Sequence, residues 1–277
     1  MSTVLPFHLE ATDSSVRFWS NTRLPFEPKG TMLDARNLLR QALTGLSPHP
    51  DRILAAKYQS STNGFCDVEN VLFHNVGAAS FRTTARNGLR FERVHAEAPL
   101  SATGEQFQHY HEYSLNESPK SPAMTPESSL HFNLPSLASA TKPHEIWQFA
   151  SAATATRSEE ISGPFEMSVV LELATPIGNL ASVIKPLLDG IISALHFDPN
   201  PDLVAVDRLA NKTSWSTEEV LQHLKSPAVP ALGSRRLLDA YREFIKWNPA
   251  DDLCEVCTVL RRSSDTPSCH VDLWSLR

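Results

Sequence analysis

Glycine is scarce in this chain, ten residues of 277, and the loops that cradle nucleotides are missing with it. There is no Gly-x-Gly-x-x-Gly, no phosphate loop ending in Gly-Lys-Ser/Thr, and no Gly-x-Ser-x-Gly elbow. Cysteine numbers four, Cys66, Cys254, Cys257 and Cys269, too few for a disulfide scaffold of this length, so free thiols are expected. No apolar run reaches the roughly 18 to 20 residues of a membrane span. The best, from Leu187 to Leu195, is broken by Asp189 and Gly190, so no membrane partner is expected. Basic excess is lacking too: 25 Lys and Arg stand against 31 Asp and Glu, a formal charge of −6. That argues against a general nucleic-acid coat and leaves a local basic groove open. The opening MSTVLPFHLEATDSS has no basic segment ahead of an apolar core, so no secretory signal is expected and a cytoplasmic location is the default.

What is present is ordinary globular chemistry, 41% hydrophobic and 20% charged residues, enough chain for one large domain or two modest ones. The most informative stretch runs from Phe165 to Lys212. Val169, Val170, Leu171 and Leu173 form a nearly continuous apolar run, predicting a strand buried on both faces. Leu180, Val183, Ile184, Leu187, Leu188, Ile191 and Leu195 then recur at helical spacing. Pro186 falls inside that pattern, so the helix kinks at Lys185 or restarts there. Either way Lys185 and Asp189 lie one turn apart and within reach of each other.

Elsewhere, Thr31 to Gly45 predicts a helix capped by Thr31, with Asp34 in its first turn and Ala35, Leu38, Leu39, Ala42 and Leu43 along one stripe. Arg52 to Ser60 reads as a strand. Leu89 to Ala96 and Gln106 to Leu115 read as two more, paired with each other. The second of these places His109 and His111 on one face with Phe107 and Tyr113. His144 to Ala153 and Phe165 to Ala174 read as a strand pair, and Leu203 to Leu209 as a short returning strand. Ser216 to Glu219 has the capping-box spacing and opens a helix. Ser234 to Trp247 reads as another helix. Cys254 to Arg262 and Cys269 to Leu276 read as a hairpin. The fold class expected is α+β, with mixed or antiparallel sheets and packed helices in two lobes, 1–115 and 144–277, joined by a Ser/Pro-rich linker, 116–143.

Four patterns carry candidate chemistry. Asp67-Val-Glu69-Asn70 offers two carboxylates that share a side in an extended chain and could hold Mg2+ or Mn2+ through oxygen; an acidic cap before Val71, Leu72 and Phe73 explains it as well. Cys254-x-x-Cys257 with Cys269-His270 lists four ligands that suit zinc, against a reading as buried thiols. His109-Tyr-His111-Glu112 could ligate a metal or share a proton, against a sheet face lined with aromatics. Arg90, Arg93, Arg235 and Arg236 belong to two basic clusters able to meet phosphates, or simply to solvated faces.

The order strand, proline, Asn179-Leu180, Lys185-x-x-x-Asp189-Gly-Ile, then Phe197-Asp198 and a segment ending near Lys212 resembles the central unit of the RusA-type Holliday-junction resolvases. That resemblance covers residues 165–212. It implies a magnesium-dependent nuclease in which Lys185, Asp189 and Asp198 carry over as site residues. The family's Asp-x-Asp acids fall on Pro176, Ile177 or Gly178 here, and Asp67-Val-Glu69-Asn70 has the form of the missing piece. Two degenerate copies of one strand-loop-helix unit would account for this. The function expected is therefore a divalent-metal-dependent phosphodiesterase acting on nucleic acid, with Asp67, Glu69 and Asp198 as ligands and Lys185 and Asp189 in catalysis. The alternative is a non-catalytic subunit binding a protein or nucleic-acid partner on a degenerate nuclease-like scaffold, and a homo-oligomer is left open. For the enzyme, Asp67 and Lys185 must share one cleft.

Overall fold

The computed structural model describes residues 6–62, 66–117, 130–134, 142–157, 160–174 and 178–276. In chain order come strands β1 (Phe7–Ala11) and β2 (Ser15–Ser20), helix α1 (Thr31–Thr44) and strand β3 (Arg52–Gln59). A π-helical turn, Asn70–His74, and a 3-10 turn, Ala78–Phe81, lead to β4 (Gly88–Val94) and β5 (His109–Glu117). Next are β6 (Leu130–Leu134), α2 (Pro143–Ser151), β7 (Thr154–Arg157) and β8 (Phe165–Leu173). The 3-10 turn Leu180–Ser182, α3 (Ile184–Ala194), α4 (Leu203–Ala210) and α5 (Thr217–Lys225) follow. The chain finishes with β9 (Leu238–Tyr241), β10 (Phe244–Trp247), the 3-10 turn Asp251–Leu253, β11 (Cys254–Ser263) and β12 (Ser268–Ser275). This is the α+β class, divided into two compact units.

The first unit comprises the described residues of Met1–Lys120, Ile177–Ser182 and Glu255–Leu260. Its strands run in the order β1, β2, β5, β3, β4, β11. All neighbours are antiparallel except β3 and β4, which are parallel. β3 therefore lies between β4 and β5, which do not pair with each other as the sequence suggested. The parallel pair requires a crossover, and residues 60–87 supply it with the two short turns. One face of this sheet, with Phe18, Leu54, Ala56, Tyr58, Phe91 and Tyr113, is buried. Phe73 and Phe81 from the crossover meet edge to face at 5.3 Å. In α1 the buried residues are Ala35, Leu39 and Leu43, four apart; Gly30 at φ +53°, rather than Thr31, takes the cap position.

The second unit comprises the described residues of Ser121–Pro176, Val183–Cys254 and Arg261–Arg277. Its antiparallel strands run β8, β12, β6, β7. Strand β8 is buried on both faces: Val169, Val170, Leu171 and Leu173 are each at most 3% exposed. Pro186 sits in the first turn of α3, where its missing N–H costs no hydrogen bond, so the helix begins there rather than kinking. β6 lies inside the segment expected as a linker; the rest of 118–129 and 135–141 lies outside the described residues.

Four expectations fail in this half. Residues 144–153 are helical because Pro143 opens α2 and the Glu145 carboxylate accepts from the Lys142 amide at 3.2 Å. Residues 203–209 are helical because the Asp202 carboxylate caps α4, accepting from Val204 and Ala205. Within the expected helix 234–247, residues 238–247 form the β9/β10 hairpin, whose Tyr, Phe, Ile and Trp suit a strand in spite of their helical spacing. β11 and β12 are strands but not partners, since β11 pairs with β4 and β12 with β8 and β6.

Candidate functional site

In the first unit, Asp67 stands just before the turn Asn70–His74, which Val68, Val71, Leu72 and Phe73 bind into the core. Val68 and Glu69 are helical, not extended, so the stated reason for their acids sharing a side fails; in a helix, residues two apart diverge. The carboxylates nevertheless converge, because Asp67 precedes the helical residues, and they bring oxygens within 4.8 Å of each other. Asn70 Nδ2 donates to Asp67 Oδ2 at 2.6 Å. Glu69 is completely enclosed. Enclosing an ionised carboxylate costs several kcal/mol unless a counter-charge or donors meet it. The turn itself is pinned by a residue that sequence reading passed over in this role, Tyr113, whose hydroxyl donates to the Leu72 carbonyl at 2.8 Å.

Cys66 adjoins this turn, half-buried; desolvation pushes its thiol up, opposed by the guanidinium groups of Arg93 and Arg23. Behind it, Tyr58 Oη and His109 Nδ1 lie 2.8 Å apart, and burial pushes the Tyr58 hydroxyl up to about 12. His111 is fully buried with Phe18 and Tyr58 edge-on to its ring at 5.5 and 5.3 Å. Burial lowers it to about 3, so it is a neutral core imidazole at physiological pH. His109 and His111 do share a face with Tyr113, as the alternation predicts, and that face is the packed one.

In the second unit, α3 presents Lys185 and Asp189 one turn apart, Nζ to Oδ1 at 3.0 Å. Asp251, which sequence analysis did not select, also binds Lys185 Nζ from the turn Asp251–Leu253. Both carboxylates are largely buried, with side-chain exposures of 12% and 7%. The ammonium is thus neutralised by two acids. Asp198 is 1% exposed, and its oxygens accept from the amides of Asn200 at 3.0 Å and Leu237 at 2.9 Å. Its carboxylate holds a chain reversal together, an occupation that the resemblance to the resolvases did not foresee.

The remaining candidates are dispersed. Cys269 and His270 are successive residues of β12 and project to opposite faces, so they cannot ligate one zinc ion. Cys269 is buried, its thiol pushed up to about 12 by desolvation, while His270 on the open face packs against Ser268 and Asn133. Cys254 and Cys257 are buried thiols. Arg90 donates to Thr258 at 2.9 Å; Arg235 donates to the Asn248 carbonyl at 2.8 Å; Arg236 pairs with Asp239 at 2.5 Å. Arg93 is half-buried at the end of β4. Among the described residues no helix is long and apolar enough to cross a membrane. Comparison of the chain with protein-family models, curated proteins and solved structures finds no match.

Proposed function

We propose that this protein is a divalent-metal-dependent phosphodiesterase acting on nucleic acid, with Asp67 and Glu69 as ligands to Mg2+ or Mn2+. The observation that carries this reading is the approach of two carboxylates to within 4.8 Å of each other, one of them fully enclosed. Hard oxygen donors at that spacing suit a hard cation, which when bound polarises a phosphoryl oxygen and lowers the pKa of its water. Asn70 orients Asp67, and Tyr113 holds the turn. A second reading, a non-catalytic subunit on a degenerate nuclease-like scaffold, is favoured by the pairing of Lys185 with two carboxylates and of Asp198 with backbone amides.

Mn2+ binding followed by electron paramagnetic resonance tests the ligands, and cleavage of branched DNA, single-stranded DNA and RNA tests the chemistry. Asp67→Asn is expected to weaken Mn2+ binding by roughly tenfold or more and to abolish cleavage while leaving the fold intact. Mn2+ binding without cleavage of any substrate would leave only the binding-subunit reading. Equal Mn2+ affinity in wild type and Asp67→Asn would remove Asp67 from the site.

A further inference from the structure

Phe26 of the first unit is 56% exposed, and its loop is nonetheless fixed from two sides. Asn75 Nδ2 donates to the Leu24 carbonyl at 2.8 Å, and Arg36 of α1 donates to the Phe26 carbonyl at 3.2 Å. The ring lies flat on that of His74, the last residue of the turn Asn70–His74, with centroids 4.9 Å apart and planes 12° from parallel. His74 is itself exposed. One face of Phe26 is therefore covered by an imidazole, and the other is open to water.

Two guanidinium groups stand beside this stack. Arg36 and Arg40 lie one turn apart on α1, both half-buried. Arg40 donates to the Val76 carbonyl, two residues beyond His74. Gly77, at φ +113°, gives that guanidinium its room, since a Cβ there would lie 2.5 Å from Arg40 Nη2. The partners of both arginines among the described residues are carbonyl groups, not carboxylates. Arg36 Nε is enclosed with no acceptor among them. Burial, and after it the charge of Arg36, push Arg40 below its ordinary value. Two like charges gathered at one place, with no acid between them, suit an anion.

The surrounding charge agrees. Residues 21–40 carry four basic residues (Arg23, Lys29, Arg36, Arg40) against two acids (Glu27, Asp34), which is +2 within a chain of −6. From Asn70 to Gly88 no acid occurs, while Arg82 and Arg86 are exposed. A flat ring with one open face accepts any nucleobase, because every base has a π-face, and the arginine fork suits phosphate. In a duplex the base faces are already stacked on one another, so a single strand is what fits. The turn also joins this place to the acids considered above: from Asp67 to His74 the chain advances about 10 Å, within reach of a neighbouring nucleotide. We infer that Phe26, stacked on His74 and flanked by Arg36 and Arg40, is a single-stranded nucleic-acid binding site, where a base stacks on Phe26 and the adjoining phosphate lies on the two guanidinium groups. The inference rests on the reading of this protein as one that acts on nucleic acid, and it names single strands as the substrate.

Fluorescence anisotropy of a labelled oligothymidine with the full chain, in EDTA, tests the site apart from any metal. The wild type is expected to bind the single strand roughly tenfold or more tighter than the same strand in a duplex. Phe26→Ala is expected to weaken binding by roughly tenfold and Phe26→Trp to restore it, both with an unchanged circular dichroism spectrum. Arg36→Gln is expected to reduce the slope of log affinity against log salt by about 0.7, the share of one phosphate contact on a single strand. A protein that behaves in this way and cleaves nothing supports the site and defeats the phosphodiesterase reading alone. Metal-dependent cleavage by a protein whose affinity Phe26→Ala and Arg36→Gln leave unchanged would overturn the site and leave that reading standing. Duplex held as tightly as the single strand, or no oligonucleotide bound at all, would overturn the site as well.

Discussion

At the scale of single residues, the informative feature is how completely the charged groups picked out along the sequence are used by the fold. Lys185 was expected from its four-residue spacing to reach Asp189, and it does, at 3.0 Å. Asp251, 66 residues away, completes the arrangement. No local pattern announces Asp251, because the pair is made by a turn and a helix meeting in three dimensions. Removing the cation from two largely buried carboxylates is far more costly than replacing it conservatively. Lys185→Met is expected to destabilise the protein by about 3 kcal/mol in urea unfolding, and Lys185→Arg by much less. Near-equal values for the two would show that the ammonium charge contributes little.

At the scale of elements, the helix that carries Lys185 is held by a close approach at one small residue. A Cβ added at Gly190 of α3 would lie 2.6 Å from the Cβ of Ile146 in α2 and 2.9 Å from the Pro143 carbonyl oxygen. Backbone cannot yield there as a flexible side-chain tip would. Gly190→Ala, stabilising by helix propensity alone, is expected to cost about 2 kcal/mol net and to lower the midpoint of thermal unfolding. The elements misread from sequence share a cause with this one. Residues 144–153 and 203–209 are short, and their apolar residues do not distinguish periods of two and 3.6 over so few positions. Capping by Glu145 and Asp202 decides for helix. In 234–247 the same ambiguity resolves the other way, because the hairpin buries Leu238 and leaves Tyr241 and Phe244 in water.

At the scale of the whole molecule, each unit encloses a histidine that must stay neutral. In the first unit His111 is lowered to about 3 by burial, and in the second His196 is lowered to about 4 by burial, partly opposed by its hydrogen bond to the Gly233 carbonyl. Both folded values lie below the ordinary value of 6.5 that the unfolded chain would show. Below 6.5 the unfolded chain takes up protons that the native protein refuses, so stability is full above that pH and is lost as the pH falls toward 4 and 3. Denaturant unfolding at pH 7, 5.5 and 4.5 is expected to show this decline, to which His196 contributes on the order of 3 kcal/mol when fully expressed. His111→Leu is expected to flatten the part that belongs to the first unit. Stability independent of pH over this range would mean that both imidazoles are protonated in place.

The sequence by itself determined the α+β class, the doubly buried strand β8, the amphipathic helices α1, α3 and α5, and the contact between Lys185 and Asp189. All of these follow from periodicity, capping or spacing within some fifteen residues, where backbone geometry alone relates the side chains. Only the tertiary structure decided that β3 separates β4 from β5, that β11 and β12 take other partners, that Asp251 joins Lys185, that Asp198 is given over to backbone amides, and that Cys269 and His270 turn to opposite faces. Those outcomes depend on which distant segments pair. Pairing is settled by burial and hydrogen-bond satisfaction over the whole chain, and no short run of residues encodes it.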